Sequence, residues 1–112
     1  MAELFSNGEF DKTMNHLSDG IVWNIIGENV FNGKNEVMEN CEQISKYFKS
    51  VQTDFKVEKL IESDHTIFVL GTAEFKRDGT RLNFISACDI YEFNNENKIE
   101  KIASYCIPEK NK

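Results

Sequence analysis

The feature that most constrains this chain is a run suited to a β-strand, Asn83–Phe93, with one carboxylate near its middle. Almost every position in the run holds a β-branched, aromatic or small residue. The run is apolar on both of its alternating faces, which indicates a strand that is covered on two sides. Burying an unpaired charge is costly, so Asp89 must be paired, protonated or open to a cavity. The sequence therefore predicts a pocket beside Asp89 and leaves its occupant undefined.

Composition indicates one soluble domain spanning residues 1–112. A net charge of −6 argues against nucleic acid and anionic membranes as partners. Nine Phe, three Tyr and one Trp are enough to line a sizeable cavity. No apolar run has transmembrane length, and the N-terminus lacks the pattern of a signal peptide. The three cysteines lack metal-ligand spacing, so we expect buried free thiols in a reducing compartment and a cytoplasmic location.

Local patterns predict helices first and strands afterwards. The helix with the clearest period places Val37, Cys41, Ile44, Phe48 and Val51 on one face, which predicts an amphipathic helix lying on a sheet. Met1–Asn7 is interpreted as the end of a helix or a frayed terminus. The other predicted elements are a helix over Phe10–Leu17, a turn at Ser18–Gly20, a strand over Ile21–Ile26, a loop through Asn29, Asn32 and Gly33, and strands over Phe55–Ile61, Thr66–Lys76, Arg81–Phe93 and Lys98–Ile107.

Two turns organise the predicted strands. Asp78-Gly79 favours a type I′ hairpin, and Glu62–His65 separates the two strands before it. The strands then form an antiparallel meander that ends at Pro108. Helices followed by a run of long strands predict an α+β plan with helices on one face of a curved sheet.

Several short patterns resemble the SnoaL-like group of the nuclear-transport-factor-2-like superfamily, which is related to polyketide cyclases and ketosteroid isomerase. They are Leu17–Trp23, the Gly-x-x-x-Phe-x-Gly-Lys pattern of Gly27–Lys34, Asp89–Phe93, Lys98-Ile99 and Ser104-Tyr105. The resemblance covers nearly the whole chain. It implies a cone-shaped, bent antiparallel β-sheet that wraps N-terminal helices, a cystatin-like or SnoaL-like α+β barrel. It also implies an apolar pocket and, in many members, a homodimer joined through the outer face of the sheet.

The resemblance points Asp89 into the pocket, and the two-residue period of a strand then orients its neighbours. Phe84, Ser86, Cys88 and Ile90 would face outward, and so apolar an outer face favours a homodimer. Gly71, Phe93 and Cys106 would face inward. The predicted ligand-binding residues are Trp23, Ile25, Ala73, Phe75, Asn83, Ile85, Ala87, Tyr91, Ile102 and Ser104.

The same resemblance makes Asp89 a candidate catalytic residue. In the isomerase branch the matching acid stays protonated and donates a hydrogen bond to a developing oxyanion. The catalytic base of that branch matches Ile25 here, and its second oxyanion donor, a tyrosine, falls near Met1, where the chain has none. Ketosteroid isomerase activity is therefore not expected, because no base is available for proton transfer.

Three functions stay open. The first is binding of a small hydrophobic molecule with isomerase-, dehydratase- or cyclase-type chemistry at Asp89. The second is a non-catalytic, homodimeric ligand-binding module, and the third is an interaction module with a vestigial pocket. Asp89 also has a purely structural interpretation, in which it bonds to Tyr91, Ser104 or a backbone amide. His16 and His65 have no partners at metal-ligand spacing, so we expect no metal and no cofactor.

Overall fold

A curved sheet of six strands and one long helix make up most of the chain in the computed structural model, which describes Phe5 and residues 8–108. Expectations for Met1–Asn7 other than Phe5 lie outside the described residues. Among the described residues, no helix is long and apolar enough to cross a membrane. The elements are two short 3-10 helices (Phe10–Lys12 and Met14–His16), β1 (Leu17–Ile25), β2 (Asn29–Asn32), α1 (Lys34–Ser50), β3 (Gln52–Ser63), β4 (Thr66–Arg77), β5 (Thr80–Phe93) and β6 (Ile99–Pro108).

The strands lie in the order β2-β1-β6-β5-β4-β3. Strands β3 to β6 form the predicted antiparallel meander. The expectation of a wholly antiparallel sheet is wrong at one place, because β1 pairs with β6 in parallel. The sheet is therefore mixed and unclosed, and the N-terminal hairpin of β1 and β2 joins it beside the last strand. The α+β cone architecture expected from the sequence is confirmed.

The turn chemistry of the long hairpin follows the sequence. Asp78 and Gly79 have φ values of 52° and 79°, as a two-residue type I′ turn requires. The preceding turn is shorter than predicted, since Glu62 and Ser63 continue β3 and only Asp64 and His65 lie between the strands. Asp64 has a φ of 51°, a conformation that Asp adopts more easily than most residues.

The N-terminal part of the chain departs from its predicted structure. The helix expected over Phe10–Leu17 is broken, because the Thr13 hydroxyl and amide both donate to the Phe10 carbonyl and end the first 3-10 turn. The turn expected at Ser18–Gly20 is part of β1, where Leu17 pairs with Ile99. The parallel register of β1 with β6 shifts between Leu17 and Val22, so the residues of the expected turn form an irregular stretch of the strand.

The loop expected through Asn29 and Asn32 is also a strand. β2 pairs antiparallel with β1, and the Gly33 amide donates to the Ile21 carbonyl at 2.7 Å. Gly33 has a φ of 89° and directly precedes α1, so the glycine turns the chain from the edge strand into the helix.

The predicted apolar face of α1 packs on the sheet. Val37 and Cys41 are buried, while Ile44 and Phe48 are partly buried against the same core. The core continues across the sheet through residues of β1, β4, β5 and β6, namely Leu17, Ile21, Trp23, Val69, Tyr91, Ile99 and Ile102.

The bend of the sheet has a local cause at Gly71. The β3–β4 register shifts between Val57 and Lys59, which marks a bulge opposite this glycine. A Cβ atom at Gly71 would lie 2.3 Å from the Lys56 carbonyl oxygen. The missing side chain therefore lets the two backbones approach where the long strands curve around α1.

Candidate functional site

A cavity of about 610 Å³ lies between α1 and the inner face of the sheet. A volume of this size is typical of small-molecule sites. Its wall is mainly aromatic and aliphatic, with polar groups from the strands and from one side of α1. The aromatic residues that line it are Phe5, Phe10, Trp23, Phe31, Tyr47, Phe48, Phe55 and Phe75.

Most of the residues predicted to face a ligand lie around this cavity. Tyr91 and Ile102 are exceptions: both are 0% exposed in the hydrophobic core and do not line the cavity. Of the other residues expected to face inward, Gly71 and Cys106 line the cavity, whereas Phe93 packs against the hydrophobic core. A role in binding stays a prediction for all of them. Those that line the cavity are Trp23, Ile25, Ala73, Phe75, Asn83, Ile85, Ala87, Asp89 and Ser104.

Asp89 lies in the middle strand of the cavity wall. In the register of the sheet it is opposite Val69 on one side and Ser104 on the other. Asp89 has an interaction partner within the chain, so the residue is not isolated. The residue is half-buried and reaches the cavity, as the family resemblance implied.

One hydrogen bond connects the two parallel strands beside Asp89. The Trp23 indole Nε1 donates to the Ser104 hydroxyl oxygen at 2.9 Å, and both residues are buried. A serine hydroxyl that accepts this bond keeps its own proton to donate elsewhere. The bond fixes the Trp23 ring in the cavity wall.

Two carboxylates act on the same thiol. Desolvation raises the pKa of Cys106 to about 11, with further contributions in the same direction from the Asp89 and Glu28 carboxylates. Cys106 is an exposed residue, yet it lines the cavity together with Asp89 and Glu28. Desolvation followed by the Asp89 charge also raises the pKa of Cys88. Asp89 and Glu28 therefore both lie near enough to Cys106 to disfavour its thiolate.

The base that the family resemblance would require is absent from its place in the wall. Ile25 lines the cavity at that position. Among the described residues, the carboxylates that line the cavity are Asp89 on β5 and Glu28 in the turn after β1. Within residues 8–108 and Phe5, no group of three or more His, Cys, Asp and Glu side chains is placed to hold a metal ion.

Sequence reasoning missed the contribution of α1. Asn40, Gln43, Ile44 and Tyr47 line the cavity from the helix. Asn40 Nδ2 is buried without a hydrogen-bond partner among the described residues. A signal was present, because Asn40, Gln43 and Tyr47 flank the apolar row that contains Ile44, but polar residues beside such a row are usually solvated.

The opposite face of the sheet is partly apolar and carries one ion-pair cluster. Glu74 on β4 accepts from Lys76 and Arg81, which hold the pKa of its carboxyl below the usual value. The Arg81 guanidinium also lies 5.1 Å from the centre of the Phe84 ring. Tyr105 and Ile107 on β6 are 43% and 68% exposed on the same face, beside Cys88 and Ser86.

Comparison with known proteins places this architecture. The family model for the SnoaL-like domain matches residues 1–102. An NTF2-like protein of unknown function from Cytophaga hutchinsonii is 34% identical, with 95% of this chain and 92% of that chain covered and a TM-score of 0.84. A search of curated proteins found no match.

Two structural neighbours are enzymes at low sequence identity. The LEH-like epoxide hydrolase of M. tuberculosis is 15% identical, covers 94% of this chain and 75% of its own, and has a TM-score of 0.69. SalBIII, an epoxide hydrolase/cyclase-like enzyme in pyran ring formation in the polyether salinomycin, is 18% identical, with coverages of 95% and 86% and a TM-score of 0.72. At these identities the likeness establishes the shared fold alone.

Proposed function

We propose that the cavity of this chain, which belongs to the SnoaL-like family of NTF2-like proteins, binds a small, mainly apolar molecule. The observation that carries the proposal is the cavity of about 610 Å³, with its aromatic wall and few polar groups. Sites of this kind gain affinity from apolar burial and orientation from a small number of polar contacts. Asp89, Ser104 and Asn83 supply such contacts from the strands of the wall.

Binding without turnover is the function that the site supports best. A roomy cavity favours a ligand over a purely structural interior. Asp89 has a partner within the chain, and Ile25 occupies the place of the expected base. An acid already engaged by the protein, with no base at the matched position, is better suited to hold a polar group than to move protons.

The direct test uses N-phenyl-1-naphthylamine, a neutral apolar dye that brightens when it leaves water. Saturable binding is expected, with Trp23 as the energy-transfer donor in the cavity wall. Ala87→Leu projects into the cavity and should abolish the signal. Ser86→Leu lies on the other face of the same strand and should leave it unchanged. Absence of binding, or equal loss in both folded variants, would contradict the proposal.

Catalysis at Asp89 is the second candidate. Two fold neighbours, an epoxide hydrolase and an epoxide hydrolase/cyclase-like enzyme, favour it. Isomerase-, dehydratase- or cyclase-type chemistry would use Asp89 as a protonated acid or oxyanion donor. An NMR titration of the Asp89 carboxyl separates the two candidates, because a group that ionises in the ordinary acidic range has no proton to donate at neutral pH.

A homodimer through the outer face of the sheet completes the proposal. Tyr105 and Ile107 are exposed large hydrophobic residues on that face, opposite Cys88 and Ser86 of β5. Covering them with a second copy would remove apolar surface from water without closing the cavity on the opposite face.

A further inference from the structure

Two carboxamide side chains lie next to each other on the cavity side of α1. Asn40 and Gln43 both line the cavity, and residues three apart on a helix are neighbours on its surface. Asn40 is half-buried, whereas Gln43 is exposed and therefore lies nearer the mouth of the cavity. The helix thus presents two uncharged amide groups to the cavity at two depths.

The amide of Asn40 lacks a hydrogen bond that its burial requires. Its Nδ2 is buried, and nothing in the described part of the chain accepts a hydrogen bond from it. Such a group has lost its hydration without replacement, which is rare in folded proteins. A half-turn about the Cβ–Cγ bond exchanges the amide oxygen and nitrogen, so the group can serve either an acceptor or a donor. An occupant of the cavity would supply the missing partner.

Aromatic rings from β1 and β2 line the same cavity, and α1 packs against both strands. The ring centres of Trp23 and Phe31 are 6.0 Å apart, and the hydrogen bond from Trp23 Nε1 to Ser104 holds the indole in place. Aromatic rings in offset or edge-to-face contact stabilise each other beyond the apolar area that they bury. The fixed indole therefore favours a flat, aromatic ligand over a saturated one.

We infer that the cavity selects uncharged, planar ring compounds whose edge carries both a hydrogen-bond donor and an acceptor, as in an aromatic lactam. The ring packs on Trp23 and Phe31, and its N–H and C=O pair with the carboxamides of Asn40 and Gln43. A carboxamide matches a lactam edge because each presents a donor and an acceptor side by side. The inference rests on the proposed binding function and adds the chemical class of the ligand to it.

The test compares three uncharged lactams by titration calorimetry on the full chain at pH 7: 2-quinolinone, 1-methyl-2-quinolinone and decahydro-2-quinolinone. Methylation removes the donor and adds apolar surface, so apolar burial alone would favour the methylated compound. The saturated compound keeps the lactam edge and loses the aromatic ring. We expect 2-quinolinone to bind about fivefold or more tightly than each of the others, as one hydrogen bond or one aromatic contact provides.

Variants of α1 locate the carboxamides that matter. Asn40→Leu should reduce the preference for 2-quinolinone over its methylated form. It should also keep or raise the urea midpoint, because it removes an unpaired buried polar group. Gln43→Leu, at an exposed position, should reduce the same preference by a smaller factor. Asn35→Leu, which changes an exposed asparagine of the same helix outside the cavity wall, should leave the preference unchanged.

A second pair of variants tests the aromatic contact. Phe31→Leu should reduce the preference for 2-quinolinone over the saturated lactam, because it removes a ring from the cavity wall. Phe84→Leu removes a ring that does not line the cavity and should leave this preference unchanged.

Each other outcome overturns the inference in a distinct way. Dye binding without a preference for 2-quinolinone rejects the ligand class and leaves the apolar binding function standing. A preference that survives both Asn40→Leu and Gln43→Leu rejects the assigned amides, and a lower urea midpoint or loss of folding for Asn40→Leu shows that the protein itself satisfies Asn40. Failure of the dye and of all three lactams at millimolar concentration rejects the inference together with the proposed function.

Discussion

Ser104 and Trp23 make the contact that holds β1 and β6 together beside the cavity. The indole N–H of Trp23 is buried, and the Ser104 hydroxyl oxygen accepts its hydrogen bond. A buried donor without a partner costs more than an ordinary hydrogen bond contributes, because its lost hydration is not replaced.

Ser104→Ala should therefore destabilise the fold by about 1–3 kcal/mol, since it leaves Trp23 Nε1 unpaired. Urea unfolding followed by Trp23 fluorescence measures this loss. Ser86→Ala, an exposed serine on β5, is the control and should change the free energy of unfolding by less than about 0.5 kcal/mol. Equal stability of both variants would mean that the indole finds another acceptor.

The ionisation of Cys106 reports its burial and the carboxylates of Asp89 and Glu28 without any ligand. Its pKa of about 11, raised first by desolvation and then by Asp89 and Glu28, keeps the thiol protonated at pH 8.5. Alkylation by iodoacetamide requires the thiolate, so Cys106 should react roughly a hundredfold more slowly there than an unperturbed cysteine. Site-resolved mass spectrometry across pH 8–12 gives the rate.

Glu28→Gln removes one of the charges that raise the Cys106 pKa and should speed this alkylation. Glu100→Gln, an exposed carboxylate that does not line the cavity, is the matched control and should have no effect. Rapid reaction of Cys106 in the unmodified chain at pH 8.5 would contradict the assignment.

At the scale of elements, the bend of the β3–β4 hairpin depends on a missing side chain. A Cβ at Gly71 would lie 2.3 Å from a backbone oxygen, which cannot rotate away as a side chain could. The strands must separate or the bulge must move to admit it. The cavity wall on this side, which includes Ala73 and Phe75, would shift with them.

Gly71→Ala should destabilise the protein by about 1–3 kcal/mol through overpacking, and should also weaken dye binding. Gly20→Ala is the control, because a Cβ added there would meet no atom within 4 Å and the φ of Gly20 is not positive. We expect that control to change the free energy of unfolding by less than about 0.5 kcal/mol. Thermal unfolding of the two variants compares these losses of stability, and equal losses would contradict the role given to Gly71.

The elements that the sequence predicts well are those with local causes. The Asp78-Gly79 turn and the apolar row of α1 require only neighbouring residues. Ser18–Gly20 was misread as a turn because it lies in β1 where the register with β6 shifts. Asn29–Asn32 was misread as a loop, whereas it pairs with β1 in a short hairpin. The inner face of β5 followed from the two-residue period once the family resemblance had oriented Asp89. Asn40 and Tyr47 reach the cavity from α1, which the sequence did not predict.

At the scale of the whole molecule, the outer face of the sheet sets the expected assembly. We expect a homodimer at micromolar concentration in sedimentation velocity. Tyr105→Glu places a charge on the outer face at a residue that is 43% exposed, and should yield a monomer. Met38→Glu changes a 40% exposed residue on α1 and should stay dimeric. A monomeric parent chain, or dissociation by both variants, would contradict the dimer.

The parallel pairing of β1 with β6 has a consequence for biosynthesis. Trp23 and Ser104 are 81 residues apart. The hairpin of β1 and β2 can therefore pair with the sheet only after β6 has left the ribosome. Pairings that span such separations form slowly. Until Ser104 is synthesised, the indole of Trp23 is exposed to water. The nascent chain therefore presents an aromatic surface to which a chaperone can bind.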